Sequence, residues 1–290
     1  MAPHLRRAAV IICALASVAH AQRPSKTIKA GAHAKLSFGD LIEAHAARYL
    51  GGVELLPALR GAEAVEPSVY VTLSSGRIMV WDEEIATLNT SGAPMKADLA
   101  SCPPACIPKL RDAVASAVAA ETTRLRNAGQ KSNARVILLA DARLPYSTFL
   151  AVAYSIANAT AVTPPELRLA VRAADGKKVG TVPLLMAPPH GVKLSENANP
   201  ILLHIAIEAH RFVVSARKSW LPWPEQSAQV GAVVRLIGEL KARDTNKTAV
   251  FVTAPPTLSL ARVLELVGPV RALYPNVILG DMPQVTGPVE

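Results

Sequence analysis

The sequence predicts an α+β fold of two tandem β-β-α-β-α-β sandwich modules. Three observations carry this. Half of the 290 residues are hydrophobic and only 4% aromatic, enough apolar material for packed cores of ordinary domain size. Short continuous apolar runs, RVILLA at 135–140 and AVFVT at 249–253, read as strands buried on both faces. Each is followed by a proline-marked helix, and the same order of elements occurs in both halves.

Residues 1–21 read as a secretory signal peptide. Arg6 and Arg7 supply the positive end, and Ala8 to Val18 an apolar stretch too short to span a bilayer. Ala19-His20-Ala21 gives the small-x-small pattern for cleavage before Gln22. The expected product is a periplasmic chain without a stable membrane span. Its formal charge of +9 falls to +7 when the two leader arginines are lost (9 − 2). Cys13 leaves with the leader. The remaining pair, Cys102 and Cys106, lies in Ser-Cys-Pro-Pro-Ala-Cys, where an oxidising compartment favours a local disulfide. Zinc would need two further ligands, and C-x3-C is not the spacing of a reactive dithiol.

Residues 22–66 read as a lead-in rather than a core, with a short helix near Asp40 to Leu50 ended by Gly51-Gly52. The first module occupies 67–187. Val69 to Leu73 and Ile78 to Trp81 flank Ser74-Ser75-Gly76-Arg77 as a β-hairpin. Asp82-Glu83-Glu84 is expected to be a solvated loop. Proline suits the first turn of the helix beginning at Pro108, whose apolar stripe includes Leu110, Val114 and Val118. The strand 135–140, a helix from Pro145 to Asn158, and strands at Leu167 to Val171 and Val182 to Met186 complete the module. Residues 188–200, rich in proline, glycine and asparagine, are the linker. The second, divergent module, 201–290, has strands at 201–207, 212–215, 249–253 and 276–279. Its helices carry Val233, Ile237 and Leu240, then Leu260, Val263 and Val267.

The first module resembles the periplasmic domain of the ExbD/TolR biopolymer-transport family. The likeness rests on Val53-Glu54-Leu55-Leu56-Pro57-Ala58, on the hairpin from Val69 to Trp81, and on Val136 to Asp141 followed by Leu144-Pro145-Tyr146. It covers about residues 53–172, poorly over 82–106; the second half matches in element order alone. The resemblance implies the fold, an envelope setting and a structural role for Asp141, Pro145 and Tyr146. Family members also carry a membrane helix with an aspartate used in proton-driven transduction. Residues 1–21 contain no Asp or Glu, so the motor function is not expected.

Chemistry is hard to assemble from the remaining residues. No phosphate loop, H-E-x-x-H or G-x-S-x-G occurs. His204, Glu208 and His210 would share a face of an extended chain and form the alternative, an exported metal-dependent enzyme. The leading expectation is a non-catalytic binder without a cofactor, accessory to or derived from an ExbD/TolR-type system. Trp220 and Trp223 in Trp-Leu-Pro-Trp-Pro, with Arg217 and Lys218, are the candidate partner-binding residues. The basic flank at Lys109, Arg111, Arg124, Arg126 and Lys131 adds attraction to anionic wall polymer. The expected partner is an envelope protein or cell-wall polymer, with a homodimer left open. Nucleic acid is not expected, because no basic-aromatic sheet pattern occurs.

Overall fold

The structure, a computed structural model, describes residues 37–95, 98, 106–130, 134–160, 164–173, 178–187, 203–216, 221, 223–243 and 249–281. The expected signal peptide, its cleavage site at Gln22 and the linker at 188–200 lie outside the described residues. The described chain is mixed α+β, with two mixed six-stranded sheets and five α-helices.

In the first half, β1 (Val69–Leu73), β2 (Arg77–Val80) and β3 (Glu83–Thr87) form an antiparallel meander. Helix α2 (Pro108–Asn127) leads to β4 (Arg135–Ala140), and α3 (Tyr146–Ala157) to β5 (Glu166–Arg172) and β6 (Val179–Pro183). The sheet order is β3-β2-β1-β4-β5-β6, with β4 parallel to both β1 and β5. The second half has β8 (His204–Ile207), β9 (Phe212–Ser215), β10 (Glu225–Ser227), α4 (Val230–Arg243), β11 (Ala249–Thr253), α5 (Leu260–Leu273) and β12 (Asn276–Gly280). Its order is β10-β9-β8-β11-β12, closed by β7 (Leu185–Met186). Five strands thus repeat in order and direction. Register makes the repeat residue-specific: Val71 pairs with Val80 and Leu138, and Ile205 with Val214 and Val252.

The elements form for ordinary reasons. Pro108 begins α2, where its missing N–H is no loss. Leu110, Val114, Ala117, Val118 and Leu125 give that helix one buried stripe. Ser37 and Asp40 form a reciprocal capping box at the start of α1 (Phe38–Tyr49). Ser259 caps α5, accepting from the Arg262 N–H. Helix α3 is apolar nearly all round, as a helix enclosed by protein must be.

Four sequence expectations need correction. Glu83 and Glu84 belong to β3, an edge strand where Arg77 pairs with Glu84 at 3.4 Å and charge is tolerated. Val182 to Met186 is not one strand: β6 ends at Pro183 in the first sheet, and β7 joins the second beside β12. Leu185 and Met186 therefore build the second sheet although they fall inside the 67–187 boundary. The predicted strand at 201–207 is ordered as β8 from His204, residues 201 and 202 lying outside the described residues.

The fourth correction concerns the lead-in, which does build a core. Ile42, Ala46, Leu50 and Leu56 pack on Tyr70, Ile137, Leu139, Ala170 and Val179, the outer face of the first sheet. The lead-in also guards the β6 edge, where the Glu63 and Thr181 backbones exchange hydrogen bonds of 2.9 Å. Gly180 makes this approach feasible, because a Cβ there would stand 2.6 Å from the Ala62 Cβ. The inner faces of both sheets share one hydrophobic core with α2, α3, α4 and α5, within a single unit spanning residues 36–290.

Candidate functional site

Asp141, Pro145 and Tyr146 lie at the seam between the halves. Asp141 is 1% exposed and accepts from the backbone N–H and guanidinium of Arg143. This turns the chain out of β4 and sets Pro145 at the mouth of α3. There the backbone meets the segment before α5. Tyr146 N donates to Leu258 O at 2.7 Å, and Leu260 N to Leu144 O at 2.9 Å. Ser147 N donates to Pro256 O at 3.0 Å, and Ala261 N to Ala142 O at 2.6 Å. Each bond becomes the other of its pair under one shift along the chain. That shift carries Pro145 onto Ser259 and Leu138 onto Val252 (259 − 145 = 252 − 138 = 114). The halves therefore meet about a pseudo-twofold axis. Tyr146 is fully buried there, its hydroxyl donating to Gly280 O at 3.1 Å. Burial pushes the phenols of Tyr146 and Tyr154 well above their ordinary range.

The tryptophan loop reaches solvent. Trp223 is 80% exposed, while Leu221 beside it is buried. Trp223 lies two residues before β10, an edge strand of the second sheet. Between β10 and α4 runs a half-open groove of about 230 Å³, lined by Gln226, Ser227, Val233, Leu236 and Glu239 among others. That is smaller than the roughly 300–1,000 Å³ of ordinary ligand pockets. Trp220, Arg217 and Lys218 lie outside the described residues. So does Cys102, while Cys106 is buried at 3% exposure just before α2.

The residues of the enzyme alternative are not brought together. His204 begins β8, where its Nε2 meets the Thr253 hydroxyl at 2.8 Å and its Nδ1 the Ser215 hydroxyl at 3.4 Å. Glu208 pairs with Arg211, and His210 is exposed in the hairpin turn beyond the far end of the strand. Among the described residues no three His, Cys, Asp or Glu side chains could share a metal. The basic flank of α2 is partly neutralised: Arg111 pairs with Asp112, Arg124 with Glu121, and Lys109 with Asp98. Lys131 lies outside the described residues. No helix among the described residues is long and apolar enough to cross a membrane.

Neither a family model nor a curated protein matches this chain.

Sequence reasoning put His45 on one face of the first helix without giving it a role; it lies on the buried face of α1. Its ring lies 4.4 Å from Tyr49 and 4.8 Å from Tyr70, and its Nδ1 is 3.7 Å from the Asp82 carboxylate. Nε2 is buried without a hydrogen-bond partner among the described residues. Trp81, held at φ +52°, makes the tight turn that delivers Asp82 to this place. Burial lowers the His45 pKa below its ordinary value, Asp82 opposing and Arg48 assisting; burial also lowers that of His204. Both imidazoles are therefore neutral in the fold, and the unfolded chain binds more protons as pH falls through about 6.5. Stability is present above that value and lost below it. The urea midpoint should fall between pH 7.5 and pH 5, and the double variant H45Q/H204Q should flatten the dependence. An unchanged slope in the double variant would show that other groups control it.

Proposed function

We propose that this chain is a non-catalytic exported envelope protein, built from two ExbD/TolR-like modules, that binds another envelope protein. Three features support the reading: the repeated strand order, the pseudo-twofold seam at Asp141, Pro145 and Tyr146, and the tryptophan loop. The observation that carries it is Trp223, 80% exposed beside an edge strand. A large rigid ring in that position is a natural anchor for a partner. A protein partner is favoured over wall polymer because Arg111 and Arg124 of α2 already have carboxylate partners. With the halves fused across the seam, a homodimer is not needed to build a two-module unit. In this reading the mature chain begins at Gln22 and Cys102 bonds to Cys106.

The test replaces Trp223 with photoreactive p-benzoylphenylalanine in intact cells. A discrete adduct with one envelope protein is expected, from a chain recovered in the periplasmic fraction. Absence of any adduct, or stoichiometric zinc in the purified protein, would overturn the reading; zinc would favour the enzyme alternative.

A further inference from the structure

Helix α1 and the residues that follow it are held to the first module in different ways. Residues 53–63 are clipped through the backbone. Leu55 O accepts from Ala142 N at 2.9 Å, Pro57 O accepts from Arg172 N at 2.8 Å, and Glu63 and Thr181 exchange their pair. Leu59 is buried against α5, where a Cβ on Gly268 would stand 3.2 Å from its Cδ2. Helix α1 has no such clip: among the described residues, no backbone hydrogen bond joins Phe38–Tyr49 to the sheet. It is held by the apolar contacts of Ile42, Ala46 and Leu50 and by side-chain bonds. The Glu43 carboxylate accepts from Val179 N at 3.0 Å, and the Tyr49 hydroxyl donates to Asp82 at 3.4 Å. Gly51 and Gly52 join the two parts at φ +93° and +153°, backbone that other residues rarely adopt.

We propose that α1 is an acid-released lid, swung off the first sheet about Gly51 and Gly52 when His45 takes a proton, while residues 53–63 stay clipped. His45 is 6% exposed on the packed face of α1, and its Nε2 is buried without a hydrogen-bond partner among the described residues. A proton added to this ring puts charge on a buried nitrogen that the closed lid cannot solvate. Asp82 faces the other ring nitrogen at 3.7 Å, beyond hydrogen-bond reach, and its side chain is 68% exposed, so water screens it. Arg48 adds a like charge on α1, and Tyr49 and Tyr70 flank the ring. Ile137, Leu139, Ala170 and Val179, which β4, β5 and β6 add to this core, carry no charge. Glu43 is engaged at β6 and Asp40 at Ser37. Burial therefore prevails, and the closed lid carries a neutral imidazole. The open lid binds the proton more tightly, so closure is favoured above about pH 6.5 and weakens below it. Opening uncovers Tyr70, Ile137, Leu139, Ala170 and Val179, the apolar outer face of the first sheet. The device is independent of the binding reading above.

The experiment measures amide-exchange protection in the full chain at pH 7.5 and pH 5, corrected for the pH dependence of exchange itself. A freed helix of 12 residues is not stable alone, so exchange reports its release. Protection through Phe38–Tyr49 should fall about tenfold or more at pH 5, with about thirtyfold the ceiling for one proton below pH 6.5. The amides of Glu63, Ala142, Arg172 and Thr181, which clip residues 53–63, should keep their protection. Returning the sample to pH 7.5 should restore α1. His45→Phe puts an uncharged ring in the same place and should hold α1 protection within about threefold between the two pH values. If that ring disturbs docking at pH 7.5, His45→Gln, which also cannot take a proton, replaces it. A fall of less than about threefold in the parent would overturn the inference. So would loss of the clip amides together with α1, or a fall in the His45 variants equal to the parent's.

Discussion

Tyr146→Ala is expected to cost about 3–5 kcal/mol, the usual loss when a large aromatic ring leaves a well-packed core. The ring is fully buried and stacks on Phe149 with centroids 6.2 Å apart. Its hydroxyl holds Gly280 at the end of β12, so one side chain from α3 reaches the sheet of the other half. The loss should therefore be shared. Amide exchange in β4 and in β11 should accelerate together, because both strands line one core. Tyr146→Phe keeps the ring and removes only the hydroxyl, for about 1 kcal/mol. Denaturant unfolding gives both numbers. A Tyr146→Ala loss below about 1 kcal/mol, or faster exchange confined to one half, would mean that the seam does not couple them.

The strands of the two modules were legible because their signals are local. A continuous apolar run such as Val136 to Ala140, or a turn such as Ser74 to Arg77 between apolar stretches, needs no knowledge of its neighbours. The features that sequence reading missed all depend on what comes to lie alongside. The Glu83–Thr87 stretch has two leading charges and looks like a loop; pairing with β2 makes it an edge strand, where those charges face solvent. Leu185–Met186 is a strand only because β12 presents an open side to it.

The seam left no side-chain signature. Its four hydrogen bonds join backbone to backbone, and Asp-Ala-Arg-Leu-Pro-Tyr shares only one leucine with its counterpart, Pro-Pro-Thr-Leu-Ser-Leu. At the candidate site, the proline-stiffened loop was visible in the sequence, but composition could not show whether its rings fold inward. Trp223 lies outward. The spacing of His204, Glu208 and His210 mimicked a ligand set. The strand ends before Glu208 reaches it, and Thr253 and Ser215 occupy the His204 ring.

Ile42→Ala is expected to remove about 2–5 kcal/mol from the contact between α1 and the first sheet. Ile42 is completely buried in the smaller of the two cores. That core consists of one helix, the turn after it and one sheet face, so the effect should be local. Exchange should accelerate through Phe38–Tyr49 and for Tyr70 and Ile137, while β11 and β12 keep their protection. His45 gives the prediction a second handle. The helix that carries Ile42 also buries an imidazole whose Nε2 has no described partner, so lowering the pH toward 5 should loosen the same segment in the parent protein. The two perturbations should compound, since both act where α1 meets the sheet. Uniform loss of protection across both sheets would show instead that α1 is integral to the whole unit.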